Sequence, residues 1–388
     1  MKTDLYNHPD HYAMDDLLSE EHKLVRDAAR AWVKKEVSPI IDEHYEKATF
    51  PMHLLKGLGE IGAFGPYIPE EYGGPGLDQI SYGLIMQELE RCDSGLRSTA
   101  SVQSSLVMYP IWKYGSEEQK QKYLRKLASG EMMGCFGLTE PDYGSNPGGM
   151  ISNFKDAGDH VILNGAKMWI SNSPFADIAV VWAKSEEGRI HGLVVERGME
   201  GFSTPETHNK WSLRASSTGE LIFDNVKVPK ENRIGENGFG FKFAMKTLAG
   251  GRIGIASQAL GIATGAYELA LKYAKTRKAF GKEIAQHQAI QFKLADMATK
   301  IEAARLLCLK AAWEKDNGLD YTLSSSMAKV FASETAMWVT TEAVQIHGGY
   351  GFVKEYHVER MMRDAKITQI YEGTSEVQRI VISRSVLS

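Results

Sequence analysis

Near the end of this 388-residue chain, a glutamate lies between an apolar run and a glycine, where a carboxylate could act as a general base. The segment is Ile370-Tyr371-Glu372-Gly373-Thr374, and Ser375 with Gln378 has the spacing of a capping box at a helix start. In a partly dry pocket the pKa of a carboxylate rises, which suits proton abstraction near neutral pH. The residues alone leave a second interpretation open, in which Glu372 only interacts with the helix dipole.

Two other segments contain residue types that could bind a phosphorylated ligand. The segment Thr276-Arg277-Lys278-Ala279-Phe280-Gly281-Lys282 places an arginine at a helix end, where its planar guanidinium could bind a pyrophosphate in bidentate fashion. The segment Gln345-Ile346-His347-Gly348-Gly349-Tyr350-Gly351 lets the backbone approach a phosphate or a ribose closely. By themselves, a basic helix terminus is more typical of a solvated surface, and a glycine-rich helix ending is a weak signal.

Three regions of different pattern must position these groups. Apolar residues recur at helical spacing over residues 19–130, and β-branched, alternating runs dominate residues 135–233. Helical spacing returns after residue 238, and Asn164-Gly165 predicts a hairpin turn within the β region. This order predicts an α+β fold with an amino-terminal helical domain (1–134), a middle β domain (135–237) and a carboxy-terminal helical bundle (238–388). The pattern lacks alternating βαβ units, which argues against NAD binding of the Rossmann type.

Composition and charge narrow the class of protein. A formal net charge of −4 gives no general attraction for nucleic acid or for an anionic membrane. The three cysteines, Cys92, Cys135 and Cys308, form neither a CxxC pair nor a metal-ligand spacing. We find no signal peptide and no apolar stretch long enough to span a bilayer. These features predict a soluble cytoplasmic protein without a metal site.

The string from Ile367 to Arg379, ITQIYEGTSEVQR, closely resembles the signature of the acyl-CoA dehydrogenase family. The resemblance implies that Glu372 is the catalytic base, which removes the α-proton of an acyl-CoA thioester while the β-hydrogen leaves as hydride to FAD. Some members carry this glutamate just before the residue matching Arg252, but here that position is Gly251. Around the base, the resemblance assigns Tyr371 and Gly373 to the substrate, and Thr374 and Glu376 to the cofactor.

Further strings agree with this resemblance. Gly137-Leu138-Thr139-Glu140-Pro141 with Gly144-Ser145 is similar to the flavin and substrate loop of the family, and Trp169-Ile170-Ser171 to the triplet that packs on the flavin. Without the resemblance, Trp169 would more often be a core aromatic. In the family, the arginine matching Arg277 and a later glutamine reach the FAD of a neighbouring subunit. The residues assigned to FAD in these strings are Phe136, Leu138, Thr139, Gly144, Ser145, Trp169, Ile170, Ser171, Arg277, Phe280, Gln288, Gln345, Gly348 and Gly349.

The resemblance covers nearly the whole chain, with the motifs in the family's order. It implies an amino-terminal helical domain, a middle β-barrel or sandwich domain and a carboxy-terminal four-helix bundle. It also implies a homotetramer and an electron-transfer flavoprotein as the electron acceptor. Arg252 and Ser145 are expected beside the acyl-CoA substrate.

The segment over residues 90–106 bears on the choice of substrate. It resembles glutaryl-CoA dehydrogenases, in which the arginine matching Arg97 binds the distal carboxylate, with Ser98 or Ser101 as neighbours and Glu90 nearby. An arginine followed by hydroxyl residues suits a carboxylate and would be costly beside an alkyl tail. The residues also allow Arg97 to pair with Asp93 or with Glu90 on one helix face.

The main hypothesis from this segment is oxidative decarboxylation of glutaryl-CoA to crotonyl-CoA and CO2. In that reaction Glu372 would return a proton as well as remove one. The first alternative is a short-chain, butyryl-type dehydrogenase without decarboxylation, because the region from Gly251 onward also resembles such enzymes. A catalytically silent scaffold that binds acyl-CoA or flavin, and an oxidase that uses O2, are the remaining alternatives.

Overall fold

A computed structural model of the chain describes residues 10–235 and 238–388. The first nine residues and residue 237, where the predicted middle domain ends, lie outside the described residues. The predicted α+β class is confirmed, since helices and strands occupy different stretches of the described chain. Among the described residues, none of the helices has the length and apolar character that crossing a bilayer requires.

The helices are numbered in chain order: α1 Glu20–Trp32, α2 Ile41–Lys47, α3 Leu55–Glu60, α4 Gln79–Glu90, α5 Ser94–Ser101, α6 Tyr109–Tyr114, α7 Glu117–Ser129, α8 Gly240–Thr276, α9 Gln288–Asp316, α10 Thr322–His347, α11 Val358–Ile367 and α12 Ser375–Leu387. The strands are β1 Gly134–Gly137, β2 Asn153–Asp156, β3 His160–Ser171, β4 Ile178–Lys184, β5 Ile190–Glu196, β6 Phe202–Ser203, β7 Thr218–Pro229, β8 Arg233–Ile234, β9 Lys278–Ala279 and β10 Lys282–Glu283.

The chain divides into two compact units that interleave along the sequence. The first unit comprises Gln79–Ser94, Arg252–Ser388 and the described residues of Met1–Pro39, and the second comprises Ile40–Asp78 and Gly95–Gly251. The candidate base Glu372 lies in the first unit, and the β strands that carry the predicted flavin loop lie in the second.

In the first unit, the carboxy-terminal helices form the predicted bundle around an alanine-rich core. Helix α10 packs against α9, α11 and α12. Ala266 of α8, Ala304 of α9 and Ala332 of α10 are all at most 1% exposed. Such small side chains let helix backbones approach closely and leave little space for rotamer exchange. This rigid core is the support for the segment between α11 and α12, which contains Glu372.

In the second unit, eight strands form one sheet in the order β6-β7-β3-β2-β4-β5-β8, with β1 paired to β4. Strand β3 pairs along most of its length with β7. The hairpin predicted at Asn164-Gly165 is wrong, because both residues lie inside β3, where the pairing with β7 shifts register. Gly165 has a φ of 135° there, and a Cβ on it would approach Ser152 Oγ to 2.3 Å. The Asn-Gly signal therefore marks a bulge with a close contact, and not a turn.

Candidate active site

Glu372 lies in the short segment between α11 and α12 with a left-handed backbone. Its φ is 52°, and that of Gly373 is 90°. A non-glycine residue in this region costs on the order of 1 kcal/mol or more and persists only where its surroundings hold it. The Glu372 side chain is half-buried. The segment thus holds a half-buried carboxylate in a conformation that neighbouring groups must maintain.

Two buried side chains hold the carbonyl groups of this segment. Lys329 of α10 donates from Nζ to the Gly373 carbonyl oxygen over 2.7 Å. Gln378 of α12 donates from Nε2 to the same oxygen over 2.9 Å and to the Glu372 carbonyl oxygen over 3.2 Å. Both Lys329 and Gln378 are 0% exposed. The predicted capping box of Ser375 and Gln378 is wrong, because the side chain of Thr374 caps α12 by accepting from the Val377 N–H.

The phenol next to the base is also anchored in the first unit. The Tyr371 hydroxyl donates a hydrogen bond to Oε1 of Gln258, a 0% exposed residue of α8. Gln258, Lys329 and Gln378 therefore connect residues 371–373 to three different helices, α8, α10 and α12. Support from three directions explains how the left-handed Glu372 backbone is maintained.

Two cations interact electrostatically with the Glu372 carboxylate. Burial lowers the pKa of Lys329 to about 8, although the nearby charge of Glu372 acts to raise it. Burial likewise lowers the pKa of Arg252, again against the influence of Glu372. Arg252 donates from Nη1 to Ser326 Oγ over 3.1 Å. Lys329 and Arg252 are therefore cations whose charges interact favourably with that of Glu372.

In the second unit, a buried ion pair fastens the predicted flavin loop. Lys167 Nζ lies 2.8 Å from Glu140 Oε1, and the two side chains are 0% and 1% exposed. Lys167 Nζ also donates to the Leu138 carbonyl oxygen over 3.2 Å. The Met168 N–H donates to the Thr139 carbonyl oxygen over 2.9 Å. The loop from Leu138 to Glu140 is therefore held directly against β3.

The register of β3 shifts again between Lys167 and Ile170, and this irregularity exposes Trp169. Trp169 has a φ of 63° and is 58% exposed, which is unusual for so large an aromatic side chain. Ser171, two residues further along β3, is half-buried. An exposed indole with hydroxyl groups nearby in sequence is chemically suited to a flat aromatic ring system with polar edges.

Not all residues predicted for this loop are accessible. Phe136, Leu138 and Ile170 are buried within the unit, and Phe136 contacts Trp182 edge-on. These three side chains therefore contribute packing, and only their backbone could meet a ligand. Gly144 and Ser145 are exposed, and a Cβ placed on Gly144 would have no neighbour within 4 Å.

The first unit contains an open cleft of about 590 Å³ that brings together three of the predicted cofactor residues. They are Arg277, Gly348 and Gly349, and Tyr350 lines the same cleft. The Arg277 guanidinium lies 5.4 Å from the centre of the Tyr350 ring. A Cβ on either glycine would meet nothing within 4 Å, so the backbone there is open to a ligand. An accessible arginine beside bare glycine backbone fits a phosphate or pyrophosphate group of FAD.

The other cofactor residues predicted on the first unit lie at its surface. Phe280 forms the turn between β9 and β10 with a φ of 53° and is 95% exposed. Gln288, Gln345 and Glu376 are exposed as well. Thr374 is half-buried, and its hydroxyl caps α12.

Arg97, predicted to bind a distal carboxylate, is 1% exposed in α5. Ser98 and Ser101 are each 2% exposed. A π-helical turn, Val102–Met108, follows α5 directly, and such turns occur frequently at functional sites. In the first unit, the Ser94 hydroxyl donates to Oε1 of Glu90, which is 3% exposed. Arg97 and the two serines predicted as its neighbours are thus all buried side chains.

A supporting role for Lys329, Gln378 or Gln258 was not predicted from the sequence. For Lys329, its position on the helix could have indicated one. Lys329 lies three and seven residues before Ala332 and Ala336, which are 1% and 0% exposed. A lysine at this spacing lies on the buried stripe of its helix, and lysine is almost never buried without a partner. Its partner, the Gly373 carbonyl, is 44 residues away and has no sequence signature.

Comparison with known families gives a match over nearly the whole chain. The "Acyl-CoA dehydrogenase, N-terminal domain" matches residues 19–131, the "middle domain" residues 135–226 and the "C-terminal domain" residues 238–387. A short-chain specific acyl-CoA dehydrogenase of Clostridium acetobutylicum is 47% identical over 377 residues, which are 96% of this chain and 100% of the relative. The caffeyl-CoA reductase-Etf complex subunit CarC of Acetobacterium woodii is 46% identical over 95% of this chain and 99% of its own.

Solved structures of acyl-CoA dehydrogenases are also similar to this chain. Butyryl-CoA dehydrogenase from Megasphaera elsdenii superposes with a TM-score of 0.93 at 44% identity, over 96% of this chain and 99% of that one. A glutaryl-CoA dehydrogenase from Mycobacterium smegmatis in complex with FADH2 superposes with a TM-score of 0.94 at 37% identity, over 97% of this chain and 96% of that one. With the fold, the ordered motifs and the residues around Glu372, these matches show that the chain belongs to the acyl-CoA dehydrogenase family.

Proposed function

We propose that this protein catalyses the FAD-dependent α,β-dehydrogenation of a short-chain, butyryl-type acyl-CoA, with Glu372 as the base. The observation that carries the proposal is the loop between α11 and α12, in which Lys329 and Gln378 hold the backbone around a half-buried glutamate. Two relatives whose names specify short-chain or butyryl-CoA substrates, at 47% and 44% identity, support the substrate class.

The reaction divides between the substrate, the cofactor and the base. The thioester acidifies the α C–H of the substrate, and the Glu372 carboxylate removes that proton. Bound FAD supplies the acceptor for the β-hydrogen, which leaves as hydride. The backbone N–H at the base would stabilise the enolate oxygen, in the manner of an oxyanion hole. The hydrogen bonds of Lys329 and Gln378 to the carbonyl oxygens of Gly373 and Glu372 support this proposal, because they restrain the backbone at the base.

Accessible residues of both units would hold the cofactor. In the second unit, Trp169 would pack on the flavin ring, with the Thr139 and Ser171 hydroxyls near its polar edge. In the first unit, the cleft of Arg277 and the Gly348-Gly349 backbone would bind a phosphate of FAD in a neighbouring copy of the chain. Phe280, Gln288 and Gln345 would complete that contact, so the proposal includes a homotetramer.

The proposal extends to the electron acceptor and to the division of the chain into domains. A relative named as a subunit of a caffeyl-CoA reductase-Etf complex supports electron-transfer flavoprotein as the electron acceptor. The three-part division into residues 1–134, 135–237 and 238–388 follows the sequence pattern and the order of the family motifs.

The glutaryl-CoA hypothesis receives less support than the short-chain alternative. The matched glutaryl-CoA dehydrogenase is 37% identical, against 44% for the butyryl-CoA dehydrogenase and 47% for the short-chain enzyme. The remaining argument for a dicarboxylic substrate is Arg97, which is buried close in sequence to the buried hydroxyl residues Ser98 and Ser101.

We expect kcat/KM for butyryl-CoA to exceed that for glutaryl-CoA by about 100-fold or more. The physical reason is that a buried substrate carboxylate without a cationic or hydrogen-bonding partner costs about 3 kcal/mol. The measurement is a dye-linked assay with both substrates, followed by mass analysis of the products from glutaryl-CoA. Faster turnover of glutaryl-CoA to crotonyl-CoA and CO2, lost in Arg97→Met while butyryl-CoA turnover persists, would establish the decarboxylating reaction instead. A yellow protein that no acyl-CoA bleaches would favour the silent scaffold.

A further inference from the structure

Lys329 is a buried cation that donates a hydrogen bond to the backbone of residues 371–373, here called the base segment. Its side chain is 0% exposed, and its ammonium group donates to the Gly373 carbonyl oxygen over 2.7 Å. Burying an ammonium group is expensive unless charge or hydrogen bonding compensates it. A purely structural role at this helix position could be filled by an apolar side chain of similar length. The retention of a charge here calls for a reason in the surroundings of Lys329.

The charged groups around Lys329 supply that reason. Glu372 and Glu376, on the segment and on α12, act to raise the Lys329 pKa, as does Glu334 on α10 itself. Arg252 of α8 acts in the opposite direction. Glu334 is already paired with Arg379 over 2.6 Å, and Glu376 is exposed to solvent. Glu372 is therefore the carboxylate on which the charge of Lys329 has most effect.

We propose that Lys329 is a positioning residue for the dehydrogenation: its ammonium group holds the Gly373 carbonyl, fixes the left-handed backbone of Glu372 and favours the ionised carboxylate. Gln378 shares the first task, because it donates to the carbonyl groups of both Glu372 and Gly373. Gln378 carries no charge and cannot perform the second task. The inference rests on the proposed role of Glu372 as the base.

The two tasks can be separated because the two side chains differ in charge. Below a pH of about 8 Lys329 is protonated. Its charge therefore acts on Glu372 throughout the acid limb of the profile, the pH range in which the rate of flavin reduction falls as the pH is lowered. Loss of that charge raises the pKa of the carboxylate, which moves the acid limb to higher pH. Loss of Gln378 alters only the geometry of the segment. A poorly held base lowers the rate at every pH, since a displacement of about 1 Å costs about 100-fold.

The experiment compares flavin reduction by butyryl-CoA from pH 5 to pH 9 in the FAD-loaded wild type and in three variants. In Lys329→Met we expect the rate to fall about 10- to 100-fold and the acid limb to move to higher pH. In Lys329→Arg the acid limb should stay at the wild-type position, because the charge is retained. In Gln378→Leu the rate should fall without movement of the limb. As a control, Lys293→Met removes a lysine of α9 that is paired with Glu342 of α10, and it should leave both properties unchanged.

The folded state should survive in Lys329→Met, because Gln378 still donates to the Gly373 carbonyl and methionine fills similar volume. FAD content and the affinity for butyryl-CoA, read from the flavin spectrum, serve as folding controls. If Lys329→Met does not fold, Lys329→Gln takes its place. A wild-type rate and acid limb in the folded variant would overturn the inference. If Glu372→Gln keeps its activity, the base assignment fails instead, and the two failures remain distinguishable.

Discussion

Flavin reduction by acyl-CoA is expected to be lost in Glu372→Gln, with a decrease of about 100- to 10,000-fold. Glutamine keeps the size of the side chain and its hydrogen-bonding capacity, but it cannot accept the α-proton. The backbone contacts to Lys329 and Gln378 involve carbonyl oxygens and remain available to the variant. The measurement is the anaerobic bleaching of the flavin by butyryl-CoA in a stopped-flow instrument.

The matched control is Glu355→Gln, which removes the same charge at an exposed position of the first unit. We expect its flavin spectrum and its bleaching rate to equal those of the wild type. The absorbance ratio of flavin to protein shows whether Glu372→Gln still binds FAD. Normal bleaching in a FAD-loaded Glu372→Gln protein would contradict the assignment of the base.

The largest effect on stability is expected from Glu140→Ala, with a loss of about 3–5 kcal/mol in the free energy of unfolding. This change removes the buried partner of Lys167 and the acceptor for the N–H groups of Ile151 and Ser152. Burial tends to raise the Glu140 pKa, but those N–H groups and Lys167 hold it below its usual value. The measurement is chemical denaturation of the variant and of the wild type at pH 7.

The pH dependence of the same variant has a defined sign. Burial lowers the pKa of Lys167 to about 8 even with Glu140 in place, and removal of Glu140 lowers it further. The unfolded chain, with a lysine pKa near 10.4, then binds more protons than the folded one, so stability should rise with pH from 6.5 to 8.5. Asp156→Ala breaks an exposed pair with Lys230 in the same unit and should change stability much less. A loss no larger than in this control would contradict a structural role of the buried pair.

The Glu140–Lys167 pair also connects stability to the proposed cofactor site. Lys167 donates a hydrogen bond to the Leu138 carbonyl oxygen. Met168, the next residue of β3, donates from its N–H to the Thr139 carbonyl oxygen. The register shift that follows exposes Trp169. A loosened pair should therefore weaken FAD binding as well as folding, which fluorescence of released FAD would detect.

Local sequence was a good guide to the class of fold and to the chemical groups. The change from helical to alternating spacing predicted the α+β class, which the order of helices and strands confirms. The same reasoning was wrong at Asn164-Gly165, because tight contact with Ser152 and pairing with β7 override a turn signal. The capping box predicted for Gln378 was also wrong, because its side chain donates hydrogen bonds to the carbonyl oxygens of Glu372 and Gly373 instead.

The sequence by itself determined which family this chain belongs to and which glutamate is the candidate base, because Glu372 lies within one continuous and specific string. The tertiary structure alone decided what surrounds that glutamate. Lys329 and Gly373 are 44 residues apart, and only the packing of α10 beneath the segment brings them to 2.7 Å. Burial and electrostatic coupling arise from such long-range contacts, so no local pattern could have specified the surroundings of Glu372.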